Sequence, residues 1–173
     1  KGMGTALEDS VNQARHGGVP VGAAGRDGLA PKVDPVAFAR RRQKVEGHTP
    51  LALMTRLVSA GVAADGALAW HVEGSVGPDE LGRQRDFLLA RTRFAPVMTC
   101  ARCLAPVRVV EIVSETRFRL AASESQAERE DRESDAVEVI AATPELDLAD
   151  MVEDEAILAL PMAPVHETCP PDV

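Results

Sequence analysis

Residues 83–120 read RQRDFLLARTRFAPVMTCARCLAPVRVVEIVSETRFRL, and this stretch decides the fold. Two runs in it alternate apolar and polar side chains, which is typical of half-buried β-strands. The apolar positions of residues 83–98 and 107–120 share the even parity: Leu88, Ala90, Phe94 and Met98 in the first run, and Val110, Ile112, Phe118 and Leu120 in the second. We predict that the two runs pair as a long hairpin, with the Cys-X-X-Cys turn at its tip.

The three cysteines and one of the four histidines fall into two short motifs, Cys100-Ala-Arg-Cys103 and His166-Glu-Thr-Cys169. Each motif can form a tight knuckle, and Cys₃His is a common ligand set of structural zinc. The pattern therefore predicts one structural Zn²⁺ ion held by Cys100, Cys103, His166 and Cys169. Two alternatives stay open at this point: the cysteines are buried free thiols, or the CxxC is a redox pair.

The length of 173 residues suits one domain with a real core. We predict a disordered N-terminal arm over residues 1–31, which contain seven glycines without a period. Residues 32–173 are then a single domain, interrupted by a flexible acidic loop over residues 121–135. No secretory signal and no apolar run near 18 residues is visible, so we expect a soluble cytoplasmic protein.

The net charge of -8 conceals a split along the chain. Residues 1–120 hold 17 Lys and Arg against 12 Asp and Glu, whereas residues 121–173 hold 2 Arg against 15 Asp and Glu. Such asymmetry fits a basic surface that meets nucleic acid and an acidic segment that faces solvent or a protein. An ordinary solubilising role of the acidic residues is the alternative.

Basic side chains concentrate in two predicted elements. Asp34-Pro35 signals the start of a helix over residues 34–45, whose last turns carry Arg40, Arg41, Arg42 and Lys44. The odd positions of the predicted hairpin carry Arg83, Arg85, Arg91, Arg93, Arg117 and Arg119, with Arg102 and Arg108 near the knuckle. Arginine is a good donor to phosphate, so these residues are candidate contacts for RNA or a partner. Helix capping explains the first cluster equally well, and Glu111 and Glu115 could neutralise the second.

The remaining elements complete an α+β fold. We expect an antiparallel sheet around residues 67–120, with helices at 34–45, 50–59 and 147–160 packed on its even, apolar face. The last helix carries an apolar stripe and ends at Pro161. Glu155 lies within that stripe, where a carboxylate should be paired, and we predict an ion pair with a sheet arginine. A general-base role for Glu155 is the less favoured alternative.

Two stretches resemble the YceD family, the large ribosomal RNA subunit accumulation proteins. They are CARCLAPV at residues 100–107 and LDLADMVEDEAILALPMAPVHETC at residues 146–169, and the Asp34-Pro35 helix start is similar too. The resemblance spans roughly residues 32–169. It implies a metal-type cluster at Cys100, Cys103, His166 and Cys169, and an acidic signature of the last helix at Glu153, Asp154 and Glu155.

The resemblance implies a role in the synthesis, processing or accumulation of 23S rRNA, without a known catalytic reaction. We therefore expect a non-enzymatic biogenesis factor that binds precursor rRNA or a large-subunit assembly protein, and no membrane or small-molecule substrate. One alternative is an acidic protein-interaction module without direct RNA contact. A zinc-dependent hydrolase or deaminase is a weaker one, because four protein ligands leave zinc no open position.

Overall fold

The computed structural model describes residues 28–133 and 137–170. Most of the predicted N-terminal arm, residues 1–27, lies outside the described residues. The end of that arm packs against the domain: Ala30 is buried, and the carbonyl of Pro31 accepts a hydrogen bond of 3.2 Å from the N–H of Leu148. The ordered domain therefore includes residues on both sides of the predicted boundary at residue 32.

The chain forms nine described strands and four described α-helices. The strands are β1 Lys32–Val33, β2 Lys44–Pro50, β3 Ala67–Pro78, β4 Gln84–Phe94, β5 Val97–Thr99, β6 Pro106–Arg108, β7 Ile112–Ala121, β8 Glu138–Ala141 and β9 Leu146–Asp147. The helices are α1 Pro35–Arg40, α2 Thr55–Ser59, α3 Glu124–Glu133 and α4 Leu148–Leu158, with a 3₁₀ turn at Leu51–Leu53. None of the described helices has the length and apolar run needed to cross a membrane. The predicted α+β class is confirmed.

The main sheet has the order β2-β3-β4-β7-β8. Strands β4 and β7 pair antiparallel, with Leu88 opposite Phe118 and Phe94 opposite Ile112, as the alternating sequence predicts. Beyond them the chain narrows into the small antiparallel pair β5-β6, which carries the CxxC turn. The long central hairpin with the knuckle at its tip is therefore confirmed. The pairing of β7 with β8 is parallel, so the sheet is mixed rather than purely antiparallel.

The main core lies on the even face of the sheet. Leu88, Ala90 and Phe118 meet Leu148, Val152 and Ala156 of α4 there, and all are nearly or fully buried. Helix α1 crosses β3 so closely that a Cβ atom added to Gly74 would lie 2.6 Å from the carbonyl oxygen of Phe38. Val110, which the alternation assigns to the buried face, is 85% exposed because it precedes β7.

The first predicted helix is too long. It ends at Arg40, where the C-cap is Arg41, and Arg42 then adopts a left-handed φ of 51° that turns the chain. Residues Lys44–Pro50 form strand β2, with Gly47 opposite Trp70 of β3. Val45 and Thr49 are buried between exposed neighbours, as expected for a strand with one buried face. The indole N–H of Trp70 donates a hydrogen bond of 2.9 Å to the Thr49 hydroxyl. Tertiary pairing thus overrides the helical appearance of residues 41–45.

The acidic segment is also more regular than predicted. The sequence predicts a flexible loop over residues 121–135, whereas Glu124–Glu133 form helix α3; residues 134 and 135 lie outside the described residues. Ala127 of this helix packs with Ala121 and Val139 in a small second core. This core lies on the odd face, opposite the other helices, so not every helix packs on one face. Because α3 buries little apolar surface in this core, its sequence shows no clear helical period.

Candidate metal centre

The CxxC turn is held by its own backbone. The N–H of Cys100 donates to the carbonyl of Ala105 at 2.9 Å, and the N–H of Leu104 donates to the carbonyl of Cys100 at 3.0 Å. Leu104 takes a left-handed φ of 62°, which closes the turn on the two sulfur atoms. Strands β5 and β6 fix both ends of this turn, so Cys100 and Cys103 project toward one side of the hairpin tip.

The second motif is brought to the tip by the extended segment after α4. The N–H of Ala101 donates to the carbonyl of Pro164 at 2.8 Å, which anchors this segment beside the turn. Nε2 of His166 lies 3.1 Å from the carbonyl oxygen of Pro106 and can donate its hydrogen there. That bond leaves Nδ1 as the lone-pair nitrogen, and Nδ1 lies 3.3 Å from Sγ of Cys103. A histidine ligand oriented through its other ring nitrogen is the usual arrangement at metal sites.

The four predicted ligands converge. One donor atom from each of Cys100, Cys103, His166 and Cys169 lies within 4.8 Å of every other. Sγ of Cys100 and Sγ of Cys169 are 4.0 Å apart. Zn–S bonds of about 2.3 Å and Zn–N bonds of about 2.0 Å in a tetrahedron require S···S and S···N separations of about 3.8 and 3.6 Å. The donor set therefore suits one tetrahedral metal ion once the most widely separated donor atoms approach each other by up to about 1 Å.

The backbone of the knuckle stabilises a thiolate. The N–H of Cys103, aided by the N–H groups of His166 and Arg102, outweighs burial and lowers the pKa of Cys100 to about 5. Burial, with the hydrogen bonds that the Cys169 thiol donates to the sulfur atoms of Cys103 and Cys100, raises the pKa of Cys169 to about 11. None of the three cysteines, all of which lie among the described residues, forms a disulfide. Three unrelated buried thiols would not explain why His166 joins them, whereas a common cation would stabilise all of these donors together.

The basic cluster after α1 divides into paired and unpaired residues. Arg40 Nε lies 3.1 Å from Asp86, and Lys44 Nζ lies 3.0 Å from Glu73. The Lys44 ammonium and His71 bond to Glu73 and, against the effect of burial, lower the pKa of that carboxyl. Arg41 and Arg42 are exposed and form no ion pair with any described residue. Only these two members of the cluster are available to bind a phosphate without breaking a contact.

Most arginines on the odd face of the hairpin are internally paired. Arg91 pairs with Glu115, and Arg93 Nε lies 4.0 Å from Glu111. The guanidinium carbon of Arg117 lies 3.8 Å from the centre of the Phe87 ring. The alternative of an internally paired sheet face therefore describes this surface better than a free arginine platform.

The far end of the same face is buried beneath α3. Arg119 is only 3% exposed and contacts Glu80 and Glu130 at 3.1 and 3.2 Å. Arg83 and Arg85 bond to the buried carboxylate of Asp79 at 2.8 and 3.2 Å. Arg119 is thus a structural residue that RNA cannot reach, contrary to the sequence prediction. Its burial follows from helix α3, which the sequence does not reveal.

At the hairpin tip, Arg102 and Arg108 are exposed, and neither forms an ion pair within the described ranges 28–133 and 137–170. Leu104 lies between them in sequence and is 75% exposed. The knuckle thus presents two free guanidinium groups and an apolar side chain beside the cysteine cluster.

The acidic signature of α4 has three distinct environments. Glu153 is buried, and its Oε1 accepts hydrogen bonds from the backbone N–H groups of Arg56 and Leu57 at 2.8 and 3.0 Å. Asp154 is exposed and pairs with the Arg56 guanidinium. Burial alone would lower the pKa of Arg56, but Asp154 and Glu153 outweigh it and raise that pKa. Glu153 therefore caps helix α2, a role that no local sequence pattern indicates because 97 residues separate it from Arg56.

Glu155 does not form the predicted ion pair with a sheet arginine. It is 5% exposed, and its Oε2 accepts hydrogen bonds from the hydroxyls of Thr116 and Ser114 on β7. The sheet arginines lie on the odd face, whereas α4 packs on the even face, so they cannot reach Glu155. The carboxylate has hydroxyl partners but no cationic partner among the described residues.

Residues 88–172 match the sequence model of a family described as Large ribosomal RNA subunit accumulation protein YceD. The matched segment contains all four residues of the Cys₃His cluster and the whole of α4. No curated protein and no solved structure matches the chain. The family match thus covers the Cys₃His cluster and the helix that carries the acidic signature.

Proposed function

Because the chain belongs to the YceD family, we propose that it acts in the accumulation of large-subunit ribosomal RNA, as a non-enzymatic assembly factor. The observation that carries this proposal is the family match over residues 88–172, which contain the complete Cys₃His cluster. The family description names large ribosomal RNA subunit accumulation, and we propose the same role for this chain.

We propose that the Cys₃His cluster holds a structural Zn²⁺ ion. Four protein donors fill the tetrahedral shell of zinc and leave no position for a water molecule or substrate. Bound zinc would link the hairpin tip to the segment after α4, and so join residues more than 60 positions apart in sequence. This role supports an assembly factor rather than a zinc-dependent hydrolase or deaminase.

The proposed factor reaches the ribosomal precursor through RNA or through protein. Arg41, Arg42, Arg102 and Arg108 are exposed and form no ion pair with a described residue, which supports contact with the rRNA backbone. The extensive internal pairing of the other arginines favours the second candidate, a module that binds a basic assembly protein through its acidic half. Both candidates place the chain on the large-subunit precursor.

Sedimentation of bacterial extracts tests the proposed function. The tagged chain is expected to co-migrate with precursors of the large subunit, and its depletion is expected to lower 23S rRNA relative to 16S rRNA. Nuclease treatment before the gradient separates the routes, because RNA-mediated association is lost and protein-mediated association persists. A chain that sediments only as free protein, in cells whose 23S rRNA is unchanged by depletion, contradicts the proposal.

A further inference from the structure

An open groove of about 620 Å³ runs between the β7-β8 edge of the sheet and helix α4. Its apolar lining includes Phe118, Ile140 and Met151. Leu158, at the last turn of α4, also lines the groove and is 74% exposed. The main core thus continues outward into an apolar surface that α4 leaves uncovered.

Carboxylates surround this apolar surface. Six of the lining residues are acidic: Glu138, Glu145, Asp147, Asp150, Asp154 and Glu155. The one cation among the lining residues, Lys32, lies 3.5 Å from Asp147 and is engaged by it. Arg56 pairs with Asp150 and Asp154 from the neighbouring helix. Three carboxylates therefore have no cationic partner within residues 28–133 and 137–170, namely Glu138, Glu145 and Glu155.

Glu155 distinguishes this groove from an ordinary acidic surface. Its side chain is almost fully buried, yet both hydroxyl contacts fall on Oε2, and Oε1 accepts no hydrogen bond from a described residue. A buried carboxylate without a counter-charge destabilises a fold unless it is paired or solvated. Its position on the groove wall makes it accessible to a cation that enters from outside.

We propose that this groove binds a basic amphipathic segment of a protein partner. A Lys or Arg of the segment reaches Glu155 and the carboxylates Glu138 and Glu145, and its apolar side chains cover Leu158 and Met151. The negative rim repels nucleic acid, which excludes a direct RNA ligand at this site. Residues 1–27 carry three Lys and Arg against three Asp and Glu, so this segment has no net positive charge to match the rim.

The inference rests on the proposed function only in placing the partner on the large-subunit precursor, because the groove itself is defined by geometry and charge. The recognition mode is that of an amphipathic helix in a groove, where apolar anchors supply affinity and the charged rim sets orientation. A basic segment of this kind is the chemical class of partner that the groove selects.

The test uses the full chain and a synthetic helical peptide with Lys and Leu at i, i+4 spacing, and binding is measured by isothermal titration calorimetry. The control peptide carries Glu in place of every Lys. The Lys peptide is expected to bind and the Glu peptide is not. Equal binding of the two peptides, or binding of neither, overturns the proposal.

Variants of the chain locate the binding site. Glu155→Gln keeps the shape of the side chain and removes its charge, and Leu158→Ala removes an exposed apolar anchor; each is expected to weaken Lys-peptide binding by about tenfold or more. Glu145→Lys on the rim is expected to do the same. The matched control is Glu128→Lys, the same charge change on the exposed side of α3, with an expected effect below about twofold.

Two further results overturn the proposal. Glu128→Lys could weaken binding as much as Glu145→Lys, which would show attraction by overall charge alone. Light scattering could instead show a dimer that Glu145→Lys dissociates, which would assign the groove to a second copy of the chain. Sedimentation with ribosomal precursors is independent of these binding measurements. If the chain binds the Lys peptide in the groove but does not co-migrate with precursors, the groove proposal stands and the proposed function is wrong.

Discussion

The carboxylate of Glu153 lies at the start of helix α2, where Oε1 is 2.8 Å from the backbone nitrogen of Arg56 and Oε2 is 3.2 Å from its Nε. Helix α2 has only five residues, and the side chain of its N-cap, Met54, makes no capping hydrogen bond. The cap is thus supplied by a residue of α4. This bond joins the two helices, whose packing encloses Leu57 and Val152 in the main core.

Replacing Glu153 by Ala should destabilise the fold by about 2–3 kcal/mol, since buried N–H donors lose a charged acceptor. The matched control is Asp154→Ala, which removes an exposed carboxylate from the same arginine and should cost about 0–1 kcal/mol. Urea denaturation monitored by the fluorescence of Trp70 measures both values. Equal losses for the two variants would mean that Glu153 does not act as the cap.

Gly74 should tolerate no larger side chain. A Cβ atom there would lie 2.6 Å from the carbonyl oxygen of Phe38 and 2.7 Å from Cα of Ala39, so the backbone of α1 would have to move. We expect Gly74→Ala to destabilise the protein by about 1–3 kcal/mol.

Gly77, in the same strand, provides the control for Gly74. A Cβ atom at Gly77 meets only the Arg117 side chain, at 3.8 Å, which is an ordinary contact. Gly77→Ala should therefore change the free energy of unfolding by less than about 1 kcal/mol. Unfolding of both alanine variants at the same denaturant concentration would contradict the close packing of α1 against Gly74 of β3.

Asp79 should make the fold sensitive to acid. Burial would raise its pKa, but the backbone N–H and guanidinium of Arg83, together with Arg85, hold that pKa well below the ordinary value. In the unfolded chain an aspartate titrates near about 3.9, so the stabilisation is complete above that pH. It is lost as the pH falls from about 4 toward the lower pKa of the folded state.

The variant Asp79→Asn should have a lower midpoint of urea unfolding at pH 7. As the pH falls from about 5 to about 3, that midpoint should decrease less in the variant than in the wild type. Asp65→Asn, at an exposed aspartate, is the control and should leave both unchanged. A difference between wild type and Asp79→Asn that is the same at pH 7 and pH 3 would contradict this assignment.

Elements with a strong period or a complete ligand set could be predicted from the sequence. The alternation in residues 83–98 and 107–120 gives the β4-β7 pairing, and the stripe that ends at Pro161 gives α4. The spacing of Cys100, Cys103, His166 and Cys169 was sufficient to predict that they converge. In each case, the local pattern agrees with the tertiary contacts.

Other features depend on contacts between distant residues and could not be predicted. The sequence of helix α3 shows no amphipathic pattern because only Ala127 and Glu130 of its ten residues are buried. Its position in turn buries Arg119, which the period-two pattern alone presents as a free cation. The sequence predicts an arginine partner for Glu155 because a buried carboxylate needs compensation, but the sheet face that it meets carries Thr116 and Ser114.

Native mass spectrometry of the purified full chain tests the central claim, that a metal ion joins the two knuckles. We predict about one zinc ion per chain, which is lost in His166→Asn and retained in His48→Asn, a control at an exposed histidine away from the cluster. The folded wild-type chain without metal, after purification and dialysis with added zinc, would contradict the claim.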